Sequence, residues 1–309
     1  MKPRSFKRFL QVVTLLAICG VISAWIYPAH NSAGNYRSHG TLLVDGERRH
    51  YLLYVPKTYD TSKQTPLVIS IHGYGGFPAN QRSVSGWNKL ADQYGFIVVY
   101  PAGIGFPLHW RASGTADSYK EVDFINQLID TLEGEFNIDP QRIYANGHSN
   151  GGGMTFMLTC TLSDRIAAAG SVSGGYLYPW SQCQNQRAVP LIAFHGTADP
   201  VVPYTGGPSR MFDLPFEDVP TWISQYAAHN GCQSTAQDLP AVKEVTGVQY
   251  SGCSGGADVV FYTLSGDGHA WPDSTSLLPE AMVGPTSNSI NATALMWQFF
   301  SAHPLSRIP

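Results

Sequence analysis

Short runs that are apolar at nearly every position recur along the chain. They include "YLLYVP" (51–56), "PLVISIHG" (66–73), "FIVVYP" (96–101), "RIYANG" (142–147), "AAAGSVSG" (167–174), "PLIAFHG" (190–196) and "VVFYTL" (259–264). Their length fits strands. Where the apolar and polar positions do not alternate, both faces must be covered, as in parallel strands sandwiched by helices. Between the runs the period changes. In "VDFINQLIDTLEGEF" the residues Val122, Ile125, Ile129, Leu132 and Phe136 fall on one helical stripe. Met154 to Leu162, Trp222 to Ala228 and Thr293 to Phe300 predict three further helices. Strands alternating with helices predict an α/β fold with a mostly parallel sheet. In such sheets reactive residues gather beyond the carboxyl ends of the strands.

The 309 residues are 43% hydrophobic and 13% charged, an ordinary globular balance. No repeat, low-complexity tract or linker divides the chain, so residues 30–309 are read as one catalytic domain. The net charge is −3, and the basic residues show no cluster beyond the N-terminus, so nucleic acid is not an expected partner. The N-terminus does hold a cluster: Lys2, Arg4, Lys7 and Arg8, followed by an uncharged apolar run from Phe9 to Ile26. Residues 1–29 therefore read as an export signal, with small Ala24 as a cleavage position. The run, about 18 residues, is also long enough to stay as an N-terminal membrane anchor. The expected location is secreted or periplasmic.

Cysteine usage agrees with that compartment. Beyond Cys19 there are four, Cys160, Cys183, Cys232 and Cys253, an even count that suggests two disulfides with three connectivities open. Pairing sequence neighbours would close two short loops. No CxxC spacing occurs, and no metal site is expected.

The chemistry is concentrated in "GHSNG", Gly147 to Gly151, a GxSxG pattern between a predicted strand and a predicted helix. A turn of that kind lifts the serine hydroxyl clear of the sheet and needs glycine on both sides, where strand and helix pass closely. Ser149 is thus a candidate nucleophile. A serine hydroxyl needs a base, and the base needs an orienting carboxylate, in the chain order Ser, acid, His. His269, in the loop "GDGHAWP" after the strand ending at Leu264, is the expected base. His229 lies in a helical pattern, His303 near the chain end, and His195 reads as a turn residue. Asp199 in "HGTADPVVPY" is the expected acid. Asp267 is its rival, but it stands too close to His269 in sequence to reach the far ring nitrogen. Negative charge on a substrate carbonyl oxygen needs N–H donors: Asn150, next to the nucleophile, and Tyr74 in "HGYGG", with Gly75 as the alternative. His72 reads as a brace for that loop.

Six separated blocks, "IHGYGG", "GWNKLADQYGFIVVYPAG", "IDPQRIYANGHSNGGGMTF", "AFHGTADPVVPY", "GDGHAWP" and "ALMWQFFSAHPL", resemble the secreted esterases that include polyhydroxybutyrate depolymerase-like enzymes and type-1 feruloyl esterases, related to carbohydrate esterase family 1. The resemblance runs from about Gly40 to Leu305. It implies an α/β-hydrolase fold and a Ser149–Asp199–His269 triad. It also pairs Cys160 with Cys183 and Cys232 with Cys253, and sets Trp271 at the cleft. Two positions depart from the family. His148 stands where an apolar or small residue is common, and Tyr74 stands where depolymerases carry Cys. Trp271, Trp110 and His148 are the expected substrate-binding side chains.

The reading is an exported serine esterase acting on carboxylic esters, small or polymer-linked, of feruloyl or acetyl type, without metal or organic cofactor. A polyester depolymerase is the alternative within the same chemistry. A non-catalytic binding scaffold would lack a triad member, and a peptidase would carry an added propeller or lid domain.

Overall fold

A computed structural model describes residues 39–209, 211–212 and 214–305. The expected export signal or anchor lies outside the described residues. Among those described, no helix is long and apolar enough to cross a membrane.

Among the described residues twelve strands run in chain order as β1 (Gly40–Val44), β2 (Glu47–Tyr54), β3 (Thr65–Ile71), β4 (Ile97–Pro101), β5 (Ile138–His148), β6 (Ala168–Val172), β7 (Leu191–Gly196), β8 (Gly207–Pro208), β9 (Pro215–Phe216), β10 (Gln237–Val242), β11 (Val245–Tyr250) and β12 (Val259–Leu264). Ten form one sheet in the order β1-β2-β4-β3-β5-β6-β7-β12-β11-β10; β8 and β9 pair separately. The six central strands, β4 to β12 in that order, are parallel. The margins β1, β2, β10 and β11 are antiparallel. Each predicted strand is present. The margins β1, β10 and β11 were not anticipated, because they are short and at most half-buried: β10 reads "QDLPAV" and is mostly exposed.

The helices are α1 (Pro78–Ser85), α2 (Trp87–Tyr94), α3 (Tyr119–Glu135), α4 (Asn150–Thr161), α5 (Val219–His229), α6 (Glu280–Val283) and α7 (Ala292–Ala302). The predicted stripe of α3 is buried at Val122, Ile125, Ile129 and Leu132, whereas Phe136 stands just past the helix in extended backbone. α4 starts four residues earlier than the apolar pattern suggests, since its first turn is built of glycines. α1 has no apolar period to reveal it, whereas α2 carries a short one, Trp87, Leu90, Ala91 and Tyr94, that went unnoticed because it spans only two turns.

Both faces of the sheet are covered, and the two cores share the strands by alternation. Leu67, Ile69 and Ile71 of β3 pack into one core with α3, α4 and α5, and Val68 packs into the other with Trp87, Met296 and Phe300. Disulfides join Cys160 to Cys183 and Cys232 to Cys253. The first ties the end of α4 to the loop after β6, and the second ties the chain after α5 to the loop before β12.

Register decides where the chemistry falls. Ile71 lies opposite Gly147, His148 opposite Val172, and Gly196 opposite Leu264. The carboxyl ends of β3, β5, β7 and β12 therefore lie along one edge. The loops carrying Tyr74, Ser149, Asp199 and His269 all leave from that edge.

Candidate active site

Ser149 joins β5 directly to α4, with φ 58° and ψ −120°. A non-glycine residue in that region is strained by roughly 1–3 kcal/mol and persists only where its surroundings hold it. They do so here. Ser149 N–H donates to the Val172 carbonyl at 2.9 Å, and the Ser149 carbonyl accepts from Gly153 and Gly175 N–H at 3.1 and 3.0 Å. A Cβ at Gly147 would collide with the Gly151 carbonyl, and one at Gly151 with the carbonyls of Ile71 and His72. The flanking glycines are thus demanded by the crossing of strand and helix.

Asp199 sits in the turn after β7. Its Oδ1 accepts from Val201 and Val202 N–H, both at 2.8 Å. Its Oδ2 accepts from His269 Nδ1 at 2.7 Å. That bond places the imidazole proton on Nδ1 and leaves Nε2 as the basic nitrogen of the neutral ring. Burial pushes the Asp199 carboxyl up, but the attraction of a protonated His269 and the hydrogen bonds from His195 and His269 outweigh it and hold it well below the usual carboxylate range. His195 is the partner that the sequence reading missed. Its Nε2–H donates to the Val202 carbonyl at 2.9 Å and lies 3.3 Å from Asp199 Oδ2. A histidine closing a strand four residues before the expected acid was the available clue. The rival acid, Asp267, instead accepts from the Ser287 hydroxyl at 2.8 Å.

The loop after β3 holds Tyr74. Gly75 N–H donates to the Leu108 carbonyl at 2.7 Å, so the alternative donor is already engaged. Among the described residues Tyr74 N–H meets no acceptor. His72 acts as the expected brace. Its Nε2 accepts from Gly103 N–H at 2.9 Å, so Nδ1 carries the proton and donates to the Gly73 carbonyl at 2.8 Å. Burial pushes this imidazole down to about 4.

Ser149, His148 and His269 line a cavity of about 280 Å³. Its walls are largely apolar, with Tyr74, Phe77, Met211, Phe212 and Leu277 among them. Tyr74 and Phe212 meet edge to face at 5.3 Å between centroids. His148 lines the cavity, with its ring 4.9 Å from that of His269. Burial and then the His269 charge push it down to about 3. Trp271 reaches the cavity but is only 2% exposed, and its Nε1–H donates to Thr293 Oγ1 at 2.9 Å, so most of the ring belongs to the core. Trp110 is placed differently from its expected role as a wall. It is buried, is not among the lining residues described, and stacks on Phe124. Its N–H and carbonyl are bonded to the Asn150 side chain, which turns the indole inward. Met211, Phe212 and Leu277 went unnoticed in the sequence because their loops carry no motif. Among the described residues no cluster of His, Cys, Asp and Glu is arranged to hold a metal ion.

The family model that matches residues 44–226 is that of the Esterase family. The chain belongs to this esterase family. It is 30% identical over 230 residues to a bifunctional acetylxylan esterase/xylanase of Neocallimastix patriciarum, covering 73% of this chain and 31% of that protein. It is likewise 30% identical over 239 residues to feruloyl esterase B of Piromyces equi, covering 73% of this chain and 43% of that protein. The chain thus spans less than half the length of these two relatives. Among solved structures it is similar to an acetyl xylan esterase from Aspergillus awamori, with TM-score 0.57, 17% identity, and coverage of 75% of this chain and 94% of that one. That likeness confirms an α/β-hydrolase fold for this esterase.

Proposed function

We propose that this esterase cleaves its substrates through an acyl-enzyme. Ser149 attacks the ester carbonyl, His269 takes the serine proton and returns it to the leaving alcohol, and Asp199 fixes the imidazole. Tyr74 and Asn150 N–H take up the charge on the carbonyl oxygen, each contributing about 3–4 kcal/mol to transition-state stabilisation. The observation that carries this reading is the strained Ser149 opening into the same cavity as the hydrogen-bonded His269–Asp199 pair. No step requires a metal or organic cofactor.

The mostly apolar cavity supports acyl groups of feruloyl or acetyl type, carried on a small alcohol or on a polysaccharide. A second reading, an aliphatic polyester, is favoured by Leu277 and Leu278, which line the cavity yet are 51% and 39% exposed. The basic, then apolar, N-terminus and the two disulfides support export to an oxidising compartment.

The test is Ser149→Ala, assayed on p-nitrophenyl acetate, methyl ferulate, acetylated xylan and polyhydroxybutyrate films. Turnover should fall at least about 10⁴-fold on every substrate that wild type cleaves. A fluorophosphonate should label wild type at Ser149. Near wild-type turnover by the variant, or labelling elsewhere, overturns the mechanism. Cleavage of films alone would move the substrate to polyesters.

A further inference from the structure

The segment after β4, residues 102–112, touches both halves of the proposed oxyanion site without lining the cavity. On one side Trp110 N–H donates to Asn150 Oδ1 at 2.7 Å, and Asn150 Nδ2 donates back to the Trp110 carbonyl at 3.0 Å. The Asn150 side chain is thereby paired with a backbone as one strand pairs with another. On the other side Trp110 Nε1–H donates to the His72 carbonyl at 3.0 Å, and the Leu108 carbonyl accepts from Gly75 N–H at 2.7 Å. These bonds hold the loop that carries Tyr74. One segment therefore fixes the residue after the nucleophile and the loop after β3 relative to each other.

The segment is itself anchored. Arg111 Nε donates to Glu121 Oε1 at 2.6 Å, and Arg49 Nη2 donates to Glu121 Oε2 at 2.6 Å and to the Ala102 carbonyl at 3.2 Å. Glu121 is fully buried at the start of α3. The Arg49 guanidinium lies 4.1 Å from the centroid of Phe124, on which Trp110 stacks. A buried carboxylate that receives two guanidinium bonds is held rigidly, because leaving either partner uncompensated would be costly.

We propose that the Asn150 side chain and Trp110, anchored by Arg111 and Glu121, are positioning residues that set the spacing of the Tyr74 and Asn150 N–H donors. This rests on the acyl-enzyme reading above. Donors of this kind act only when preorganised at the place where the oxyanion forms. A shift of about 1 Å can cost on the order of 10²-fold. Side-chain contact with substrate does not explain such a loss, because both polar atoms of the Asn150 amide are bonded to the Trp110 backbone and Trp110 is absent from the described cavity lining.

The perturbation is Asn150→Ala, which keeps the backbone N–H and removes both bonds of the clamp. Trp110→Phe, which removes the bond to His72 and part of the buried ring while keeping the backbone bonds to Asn150, and Glu121→Gln accompany it. For Asn150→Ala, kcat on p-nitrophenyl acetate should fall roughly 10- to 100-fold. KM should stay within about threefold, since ground-state binding is untouched. A trifluoromethyl ketone, which adds to serine and forms an oxyanion, should lose affinity by the same factor as kcat/KM. Fluorophosphonate labelling of Ser149 should still reach full stoichiometry. If Asn150→Ala does not fold, the same proportional loss in Trp110→Phe and Glu121→Gln carries the test. An unchanged kcat in folded variants, or a rise in KM with the ketone affinity intact, overturns the proposal. An active Ser149→Ala would instead sink the acyl-enzyme reading itself, so the two failures are distinguishable.

Discussion

Folding stability should fall steeply between pH 7 and pH 5, and a buried histidine is the reason. His72 is 1% exposed, bonded through both ring nitrogens, and pushed by burial from an ordinary value near 6.5 to about 4. In the folded chain it stays neutral across that range, whereas in the unfolded chain it binds a proton below about pH 6.5. The unfolded state then holds more protons, so stability rises with pH. The contribution is complete above about 6.5 and is lost as pH falls towards 4. Each pH unit in that window costs about 1.4 kcal/mol, so His72 alone removes roughly 2 kcal/mol between pH 7 and pH 5. His148, pushed down to about 3, acts in the same direction but borders the cavity, where water softens the effect. His229 is also lowered by burial and adds a smaller contribution of the same sign. Asp199 does not interfere, because its carboxyl lies far below this window. Urea unfolding at 0.5-unit steps from about pH 8 to 4.5 measures the slope. His148→Asn, read in parallel, should give a shallower slope below pH 6.5. A wild-type stability that is flat from pH 7 to pH 5, or that rises, would refute the reasoning.

Two further outcomes follow from the elbow and from the core. Gly147→Ala should abolish turnover and lower the yield of folded protein, because the added methyl meets the Gly151 carbonyl, a backbone group that cannot swing aside; a variant with wild-type turnover would show that strand and helix are not packed as closely as described. Trp271→Ala should cost about 3–5 kcal/mol in urea unfolding, since the ring is 2% exposed and its Nε1–H is bonded to Thr293; a change confined to KM, without loss of stability, would place the ring in the cavity instead of the core.

Much of this architecture is legible from one sequence because two periodicities are sharp. The central strands are apolar on both faces and bounded by loops, so β3 to β7 and β12 announce themselves. The helix α3 does the same through its stripe from Val122 to Leu132. The margins fail for a matching reason: β10 is exposed along nearly its whole length and carries a proline, and nothing separates it from a loop except its pairing with β11. The candidate site divides along the same line. Ser149, Asp199 and His269 could be placed because the topology puts reactive loops after strands, and each of the three follows one. His195 could not, since its part depends on the turn through Pro200 bringing Val202 and Asp199 back over the end of β7, a tertiary fact.

Trp110 shows most clearly where sequence reasoning stops. A tryptophan in a loop after a strand, on the edge where the reactive loops gather, has every attribute of a cleft wall. What decides otherwise is a pair of hydrogen bonds to the side chain of Asn150, forty residues away, and a buried ion pair at Glu121 that draws Arg111 inward. Once the backbone of Trp110 is tied to Asn150 and the next residue to Glu121, the indole has one place left to go, against Phe124 and beneath the His72 carbonyl. The ring then cannot touch substrate, yet its backbone and Nε1 hold the segments that would stabilise the reaction. Loop aromatics near an active edge thus divide into walls and struts according to the fate of their backbone hydrogen bonds. Tyr74, whose N–H meets no acceptor among the described residues and which is 44% exposed, falls on the other side of that division.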